Sequence, residues 1–326
     1  MKEIVIENLS YEHLQNICGV ADENLKLIKA SFKVDIALTK DGLIISGEDD
    51  ECEKTGKVIF ALLECENKQQ YFSAREIVYL CKLAKAGSVV SISGLYDREI
   101  ITSRNGKTVY PKTNNQRKLL EAMAESDIVF AIGPAGTGKT YLAVAYALSL
   151  FKKEEINKII LTRPAVEAGE NLGFLPGDLK EKIDPYLRPL YDALHDILGA
   201  DKVNRYLEQG IIEVAPLAFM RGRTLEKAFV ILDEAQNTTT TQMKMFLTRL
   251  GFNSKMVVTG DITQIDLPKA QPSGLIHSLE ILQEIPEIKV VRLTSIDVIR
   301  SPLVQKIIDA YEKSEEKKTL PNAKYR

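Results

Sequence analysis

The sequence predicts an α/β protein in which helices cover a parallel sheet, with a smaller α+β unit before it. From about residue 115 onward, short apolar segments alternate with helical patterns, which is typical of strands buried in a parallel sheet. In the first 70 residues helices and strands are mixed, and a Lys-Asp-Gly hairpin signal joins two strands directly. A length of 326 residues also fits two domains better than one.

The N-terminal unit has the predicted order strand, two helices, two strands, helix. This order resembles a KH domain, in which a GxxG turn holds a nucleic-acid backbone. Here the turn reads Gly19-Val20-Ala21-Asp22 and is followed by Glu23, so the second glycine is missing and two carboxylates stand where a phosphate would approach. We therefore expect a KH-like shape with a docking or packing role and degenerate RNA-binding chemistry.

Charge is distributed unevenly along the chain. Residues 1–70 carry a net charge of −6 and the remainder carries +4, so a polyanion is expected to prefer the later part. The chain has no apolar run of 18 residues and no apolar N-terminal core, which predicts neither a transmembrane helix nor a secretory signal. The cysteines show no CxxC spacing, so we interpret Cys18, Cys52, Cys65 and Cys81 as buried side chains in a reducing cytoplasm.

These patterns divide the chain into four parts. Residues 1–72 form the KH-like unit, and 73–114 form a linker with one helix and a hairpin that turns at Asn105-Gly106. Residues 115–312 form the larger domain, and 313–326 form a basic, flexible tail. The strands predicted in the larger domain are Ile128–Ile132, Lys158–Leu161, Ile211–Val214, Phe229–Leu232, Met256–Val258 and Lys289–Leu293.

The strongest motif follows the first of these strands and opens a helix. It matches GxxxxGK[ST], in which glycines let backbone N–H groups surround a phosphate at a helix N-terminus. Lys139 is expected to meet the β- and γ-phosphates of a nucleotide, and Thr140 to ligate Mg²⁺. The residues of this predicted nucleotide-binding loop are Gly133, Pro134, Ala135, Gly136, Thr137, Gly138, Lys139 and Thr140.

A second motif delivers two acids to the end of a buried strand. The segment FVIL is followed by Asp233 and Glu234, at the edge where open α/β sheets bind their ligands. We expect Asp233 to belong to the Mg²⁺ shell and Glu234 to accept the proton of an attacking water.

Two glutamines complete the predicted site. The segment VVTGDITQ resembles motif III of superfamily 1 helicases, which makes Gln264 the candidate sensor of the γ-phosphate. Asp261 in the same segment has two equal interpretations, a support of the magnesium shell or a cap of the next turn. Gln116, just before the first helix of the larger domain, is expected to read the adenine edge, as a glutamine does at this place in helicase-like ATPases; a helix start capped by Asn115 is the alternative.

Several long segments together resemble the PhoH-like family of bacterial P-loop ATPases over roughly residues 100–312. They include GPAGTGKTYLAVAYA, LTRPAVEAGENLGFLPGDLKEKIDPYLRPLYDAL, FVILDEAQNTT and TRLGFNSKMVVTGDITQIDLP. The resemblance implies a RecA-like core with ATP and Mg²⁺ as cofactors, in a cytoplasmic, ring-forming protein, with a hexamer as the expected ring. It further implies a link to RNA metabolism and neighbours in ribosome maturation, including a small metal-dependent endoribonuclease.

The arginines leave alternatives open. A single core has no second core to supply an arginine finger, so we expect one from a neighbouring subunit, with Arg300 as the first candidate and Arg163 and Arg249 as the next. Arg163 alternatively contacts an RNA phosphate. Arg221 and Arg223 belong either to a phosphate-gripping loop or to a solvated one.

The function predicted from these features is Mg²⁺-dependent ATP hydrolysis coupled to RNA binding or remodelling. A P-loop kinase is an alternative, although Glu234 and Gln264 are the residues needed to position water. A nucleotide-switched scaffold for an RNA-processing partner is a second alternative.

Overall fold

The computed structural model describes residues 2–64, 72–88, 91, 95, 99–164, 179–268, 270–298 and 307, with only the backbone described for 179–185. In these ranges the strands are β1 (Lys2–Glu7), β2 (Asp35–Leu38), β3 (Gly42–Gly47), β4 (Ile101–Thr102), β5 (Thr108–Val109), β6 (Ile128–Ile132), β7 (Lys158–Arg163), β8 (Ile212–Pro216), β9 (Ala228–Leu232), β10 (Lys255–Gly260) and β11 (Ile288–Arg292). The helices are α1 (Tyr11–Cys18), α2 (Glu23–Phe32), α3 (Asp49–Glu64), α4 (Ala74–Lys85), α5 (Asn114–Glu125), α6 (Lys139–Lys152), α7 (Leu179–Leu198), α8 (Ala200–Glu208), α9 (Thr240–Leu247) and α10 (Gly274–Ile281).

The larger sheet is parallel, with strand order β11-β6-β10-β9-β7-β8. All five residues of β6 and all five of β9 are buried, because helices cover both faces of the sheet. Two apolar clusters lie on opposite faces, since alternate side chains of each strand point to opposite sides. The predicted α/β class and the six predicted strands are confirmed, with ends that differ by one or two residues.

The N-terminal unit contains a three-stranded antiparallel sheet in the order β1-β3-β2. Its helices cover one face of that sheet and share one apolar core. The turn after α1 is a short 3-10 segment, Val20–Asp22, in which Ala21 and Asp22 adopt left-handed φ values of 52° and 58°. Val20 is exposed there, and the KH-like character of this unit stays a prediction.

Helix α4 packs into the N-terminal core, although the sequence suggested a linker helix. Its apolar side chains, including Ile77 and Leu80, are fully buried against α2 and α3. Its opposite side contacts the larger domain, where the Tyr79 hydroxyl accepts from the backbone N–H of Asn114 at 3.0 Å. A deletion of residues 1–70 would therefore expose the apolar face of α4, so single substitutions are the cleaner test of the N-terminal unit.

One sequence expectation about α7 is wrong. Pro189 in the segment YLRPLY predicts a helix interruption from the sequence, but α7 continues through it from Leu179 to Leu198. A proline inside a helix costs about 3 kcal/mol because it removes a backbone hydrogen bond. Pro189 lies on the exposed side, while Leu190 and Leu194 are fully buried and hold the helix against α6 and the sheet. This packing offsets the missing hydrogen bond.

The predicted hairpin at Asn105-Gly106 is confirmed as the pair β4–β5. Cys18, Cys52 and Cys81 are buried and free, and burial raises the pKa of Cys81 to about 11, while Cys65 lies outside the described residues. None of the helices in the described part of the chain combines the length and apolarity that a membrane crossing requires.

Candidate nucleotide-binding site

The site lies at the carboxyl edge of the larger sheet, where neighbouring strands end together. The parallel register aligns the strands so that Arg163 of β7 and Thr259 of β10 flank Asp233, which directly follows β9. Beside them, the phosphate loop connects β6 to α6. The fold therefore brings the loop and the acid pair together from segments about 95 residues apart in the chain.

The phosphate loop closes around the ammonium group of Lys139. Its Nζ donates to the carbonyl oxygens of Gly133 at 2.6 Å and Pro134 at 2.9 Å. Gly138 precedes α6 with a left-handed φ of 82°, a conformation that a residue with a Cβ rarely adopts. At Gly133 a Cβ would lie 2.4 Å from the Leu293 carbonyl oxygen, so the close approach of the chain after β11 requires glycine.

Lys139 is only 9% exposed, and its burial has an electrostatic consequence. Burial lowers the pKa of Lys139, while the nearby carboxylates of Asp261, Asp233 and Glu234 act in the opposite direction. A desolvated ammonium at a helix N-terminus attracts an anion strongly, because little water competes for it. The geometry of the loop thus suits a phosphate group.

The two predicted magnesium ligands contact each other directly. Asp233 Oδ1 accepts from the hydroxyl of Thr140 at 2.7 Å and from the hydroxyl of Thr259 at 2.6 Å. Asp261 Oδ1 accepts from the backbone N–H and the hydroxyl of Thr263, which are the contacts expected of a cap, while the magnesium interpretation of this residue stays a prediction. Its Oδ2 is buried without a hydrogen-bond partner.

These oxygens fit a magnesium ion. Mg²⁺ prefers hard oxygen ligands and usually binds one or two protein side chains, completing its shell with water and substrate phosphates. The hydroxyl of Thr140, the carboxylate of Asp233 and the unpartnered oxygen of Asp261 are of this kind. Among the residues that the structure describes, no cluster of three or more His, Cys, Asp or Glu could hold a metal ion.

Glu234 is oriented by two side chains of its own chain. Its Oε1 accepts from Arg163 Nη2 at 2.9 Å, and its Oε2 accepts from the side-chain amide of Gln236. Its backbone has a left-handed φ of 53°, which turns the side chain away from the line of β9. The carboxylate therefore lies in a defined orientation at the cavity wall.

Arg163 lies inside the site of its own chain. Besides Glu234, its guanidinium contacts Asp233 Oδ2 at 3.2 Å and donates to the carbonyl oxygen of Tyr186 at 2.8 Å. These contacts within one chain differ from the two roles suggested by the sequence, an RNA phosphate contact or a contact to a neighbour's nucleotide, and those two roles stay predictions. The contacts result from strand order, because β7 lies directly beside β9 and ends next to the acid pair.

The two predicted glutamines lie on different sides of the loop. Gln264 is exposed and lines a cavity of about 460 Å³ together with Lys139, Arg163 and Glu234. Gln116 is buried, and its Nε2 donates to the carbonyl oxygen of Thr137 at 2.9 Å. Its Oε1 accepts from a backbone N–H at 2.6 Å, so the side chain supports the phosphate loop.

The remaining candidate arginines lie away from this cavity or outside the described residues. Arg300 belongs to the residues that the structure does not describe. Arg249 donates to the carbonyl oxygens of Met245 and Arg223 and closes the end of α9. Arg223 forms a two-pronged ion pair with Glu213, whereas Arg221 is exposed.

Sequence reasoning missed three residues that hold the site together. Thr259 fixes Asp233, and Gln236 connects Glu234 to the backbone N–H of Asp261. Tyr141, the second residue of α6 after Lys139, donates its hydroxyl to Asp196 of α7 at 2.8 Å. Thr259 and Gln236 lie in the motif segments at the ends of neighbouring strands. Because parallel strands end at the same edge of a sheet, this placement could have indicated from the sequence that both residues belong to the site.

Comparisons with known proteins give one consistent family. A family model described as PhoH-like protein matches residues 108–312. The PhoH-like protein of Bacillus subtilis (strain 168) is 53% identical over 298 residues, which cover 91% of this chain and 93% of that protein. The PhoH-like protein of Mycobacterium bovis is 49% identical over 300 residues, which cover 92% and 85% of the two chains. A solved structure of Pif1 helicase from Candida albicans has a TM-score of 0.34 and 16% identity, covering 62% of this chain and 43% of that chain.

Proposed function

The chain belongs to the PhoH-like protein family and has a phosphate-loop nucleotide-binding fold, and from this premise we propose that it hydrolyses ATP with Mg²⁺ and couples hydrolysis to RNA binding. The observation that carries the proposal is the alignment of Lys139, Asp233 and Glu234 around one cavity. The same cavity contains Gln264, which can orient a water molecule. This set of residues suits water as the phosphoryl acceptor.

The proposed reaction begins with the phosphates in the loop. Lys139 contacts oxygens of the β- and γ-phosphates, and the backbone N–H groups at the start of α6 contact the remaining ones. Thr140 and Asp233 would hold Mg²⁺, with Asp261 in support; when bound, the ion neutralises charge on the β- and γ-phosphate oxygens. Gln264 orients the attacking water towards the γ-phosphorus.

Glu234 accepts the proton of that water. A bond forms between the water oxygen and the γ-phosphorus, and the bond to the β–γ bridging oxygen breaks, which gives ADP and inorganic phosphate. Arg163 is a positioning residue in this scheme because its guanidinium holds Glu234 and balances the adjacent charge of Asp233. Gln236 supports the same carboxylate from the other side.

Substitution of Arg163 tests its positioning role. We expect Arg163→Ala to lower the hydrolysis rate about tenfold to a hundredfold, because the rate falls steeply when the general base, Glu234, is out of position. Arg163→Lys keeps the positive charge but lacks the forked geometry of the guanidinium. Compared with Arg163→Ala, it should therefore restore thermal stability more than it restores the hydrolysis rate. Phosphate release and melting temperature measure the two effects, and a fully active Arg163→Ala protein would contradict the assignment.

The RNA part of the proposal is supported by the turn after β8. Phe219 is 56% exposed, and Arg221, two positions further along this turn, is also exposed, at the carboxyl edge of the sheet. An exposed aromatic ring and an arginine on the same turn suit single-stranded RNA, because the ring stacks on a base and the guanidinium contacts a phosphate. Arg223 is less suitable because Glu213 neutralises it.

RNA binding should therefore depend on this turn more than on the N-terminal unit. We expect Phe219→Ala to weaken RNA binding by about 1–3 kcal/mol, the usual contribution of one stacked base. Arg221→Ala should also weaken the salt dependence of RNA binding: the slope of log K against log salt concentration should decrease in magnitude by about one. The control is Val20→Asp in the exposed N-terminal turn, which should leave affinity within about twofold. The reverse ranking in a titration with labelled single-stranded RNA would revive the KH-like turn as the RNA site.

We further propose that the protein forms a ring, with a hexamer as the first expectation, in the cytoplasm. A neighbouring subunit would supply an arginine finger, with Arg300 as the first candidate. An RNA-processing partner, such as an endoribonuclease of ribosome maturation, fits this proposal.

Two other functions can be distinguished from ATP hydrolysis by measuring the release of free phosphate with and without a panel of RNAs. A P-loop kinase releases no phosphate without an acceptor. A nucleotide-switched scaffold turns over very slowly but changes its partner binding with nucleotide.

A further inference from the structure

We propose that the N-terminal unit positions the phosphate loop for nucleotide binding, and that Tyr79 of α4 is the positioning residue that connects the two. The inference rests on the proposed function, since it concerns ATP in the loop and in the adjoining cavity of about 460 Å³, which we call the phosphate cavity. Helix α4 contacts two segments of the larger domain, and each of these segments contacts the loop. The N-terminal unit thereby has a role that needs no RNA contact.

The first of the two segments is the start of α5. The phenol oxygen of Tyr79 accepts from the backbone N–H of Asn114, the first residue of α5, at 3.0 Å. The first N–H groups of a helix have no partner inside that helix, so an acceptor from another element can hold the helix start in place. Tyr79 is only 2% exposed, so little water can replace its hydroxyl in this contact.

The start of α5 is connected to the phosphate loop through Gln116. The backbone N–H of Gln116 donates to the hydroxyl of Thr113, the buried residue that caps α5. Its side-chain amide donates to the carbonyl oxygen of Thr137 in the loop at 2.9 Å. The hydroxyl of Thr137 donates to the carbonyl oxygen of Pro134, which also accepts from Nζ of Lys139. A continuous set of hydrogen bonds therefore joins the start of α5 to the ammonium group that would meet the phosphates.

The second segment follows β11. Nζ of Lys82 in α4 donates to the carbonyl oxygen of Val298 at 2.7 Å, and α4 packs against the 3-10 turn Ser295–Asp297. At the beginning of this segment Leu293 lies against Gly133, where a Cβ would be 2.4 Å from the Leu293 carbonyl oxygen. Helix α4 thus contacts both segments that support the loop.

Asp297 joins the two segments to each other. Its Oδ2 accepts from the side-chain amide of Asn115 in α5 at 2.9 Å and from the backbone N–H of Thr294 at 2.7 Å. Asp297 is buried, and hydrogen bonds shielded from water are electrostatically stronger than exposed ones. A displacement of α4 therefore acts on both segments together, and through them on the loop.

The polar contacts of α4 can be separated from its structural role. The apolar side chains of α4 pack in the N-terminal core and need no polar contact to the larger domain for that purpose. The ring of Tyr79 belongs to the same core, whereas its hydroxyl contacts α5. Removal of the hydroxyl alone therefore tests the connection to the loop and leaves the core packed.

The experiment measures ATP binding and hydrolysis by Tyr79→Phe in the full-length protein with Mg²⁺. We expect ATP affinity to fall about threefold to tenfold, the usual size of coupling through a packed network. The rate at saturating ATP should stay within about twofold, because Glu234 and Gln264, which act on the water, follow other strands. Cys81→Ala, which changes α4 inside the N-terminal core, is the matched control and should leave ATP affinity within about twofold.

A double-mutant cycle with Gln116→Ala tests the route. Residues that act through one network have non-additive effects, whereas independent residues add. In protein that already carries Gln116→Ala, Tyr79→Phe should therefore change ATP affinity by less than about twofold. Full additivity of the two effects would overturn the inference.

The other outcomes are also distinguishable. Parental ATP affinity in Tyr79→Phe contradicts the inference, and so does an equal loss of affinity in Cys81→Ala or a maximal rate that falls as much as the affinity. If Tyr79→Phe does not fold, Lys82→Met decides: weaker ATP binding at the parental maximal rate supports the inference, and parental affinity overturns it. A parent protein that does not bind ATP would refute the proposed function itself.

Discussion

Lys139→Ala should lower ATP affinity by about 100-fold or more, because it removes a charged donor to two phosphate groups. The ammonium of Lys139 is buried in the loop, where little water screens its charge. No other lysine lines the phosphate cavity in the described part of the chain, so no neighbour can replace it. A fluorescent ATP analogue and direct calorimetry measure the loss.

The matched control is Lys152→Ala, which removes an exposed lysine from the opposite end of the same helix. It should leave ATP affinity unchanged. Melting curves separate a binding defect from unfolding, since the apolar face of α6 is untouched in both variants. ATP affinity at the parental level in Lys139→Ala would contradict the assignment of the phosphate loop.

Glu234→Gln should keep ATP binding and lower hydrolysis by about 10²–10⁴-fold, the usual contribution of a general base. The amide keeps one oxygen to accept from Arg163, but it cannot accept a proton from water. Its NH₂ group would face the amide of Gln236, which therefore has to rotate and release the backbone N–H of Asp261. Nucleotide affinity should change by less than about tenfold, since Glu234 acts on the attacking water in the proposed reaction while Lys139 binds the phosphates.

Single-turnover phosphate release measures this rate without interference from product dissociation. Glu226→Gln, at an exposed carboxylate just before β9, is the control and should hydrolyse ATP normally. Hydrolysis at the parental rate in Glu234→Gln would exclude this residue as the base. A joint loss of binding and hydrolysis would instead indicate that the Gln236 contact supports the loop.

The sequence by itself determined the fold class and the motif residues. Continuous apolar segments such as Ile128–Ile132 are typical of strands covered on both faces, and the glycines of the loop leave few alternatives. Local signals were also sufficient for the β4–β5 turn. The strands, the phosphate loop and this turn depend on residues that are close together in the sequence, so a single sequence is enough to predict them.

Local signals misjudged two helices. The proline in α7 predicts an interruption, yet buried leucines on the opposite face stabilise the continuous helix. Helix α4 resembled a linker because its partners in the N-terminal core lie far away in the sequence. In both cases packing against distant elements outweighed the local preference.

Only the tertiary structure decided which side chains meet at the site. Strand order puts Arg163 against Asp233 and Glu234, and it puts Thr259 on the other side of the same aspartate. The β4–β5 hairpin is positioned in a similar way, since β4 contacts α6 and the backbone N–H of Arg104 donates to the carbonyl oxygen of Ile197 in α7 at 2.8 Å. The sequence contains each of these residues, but their distances follow from the order of strands in the sheet, which no local pattern encodes.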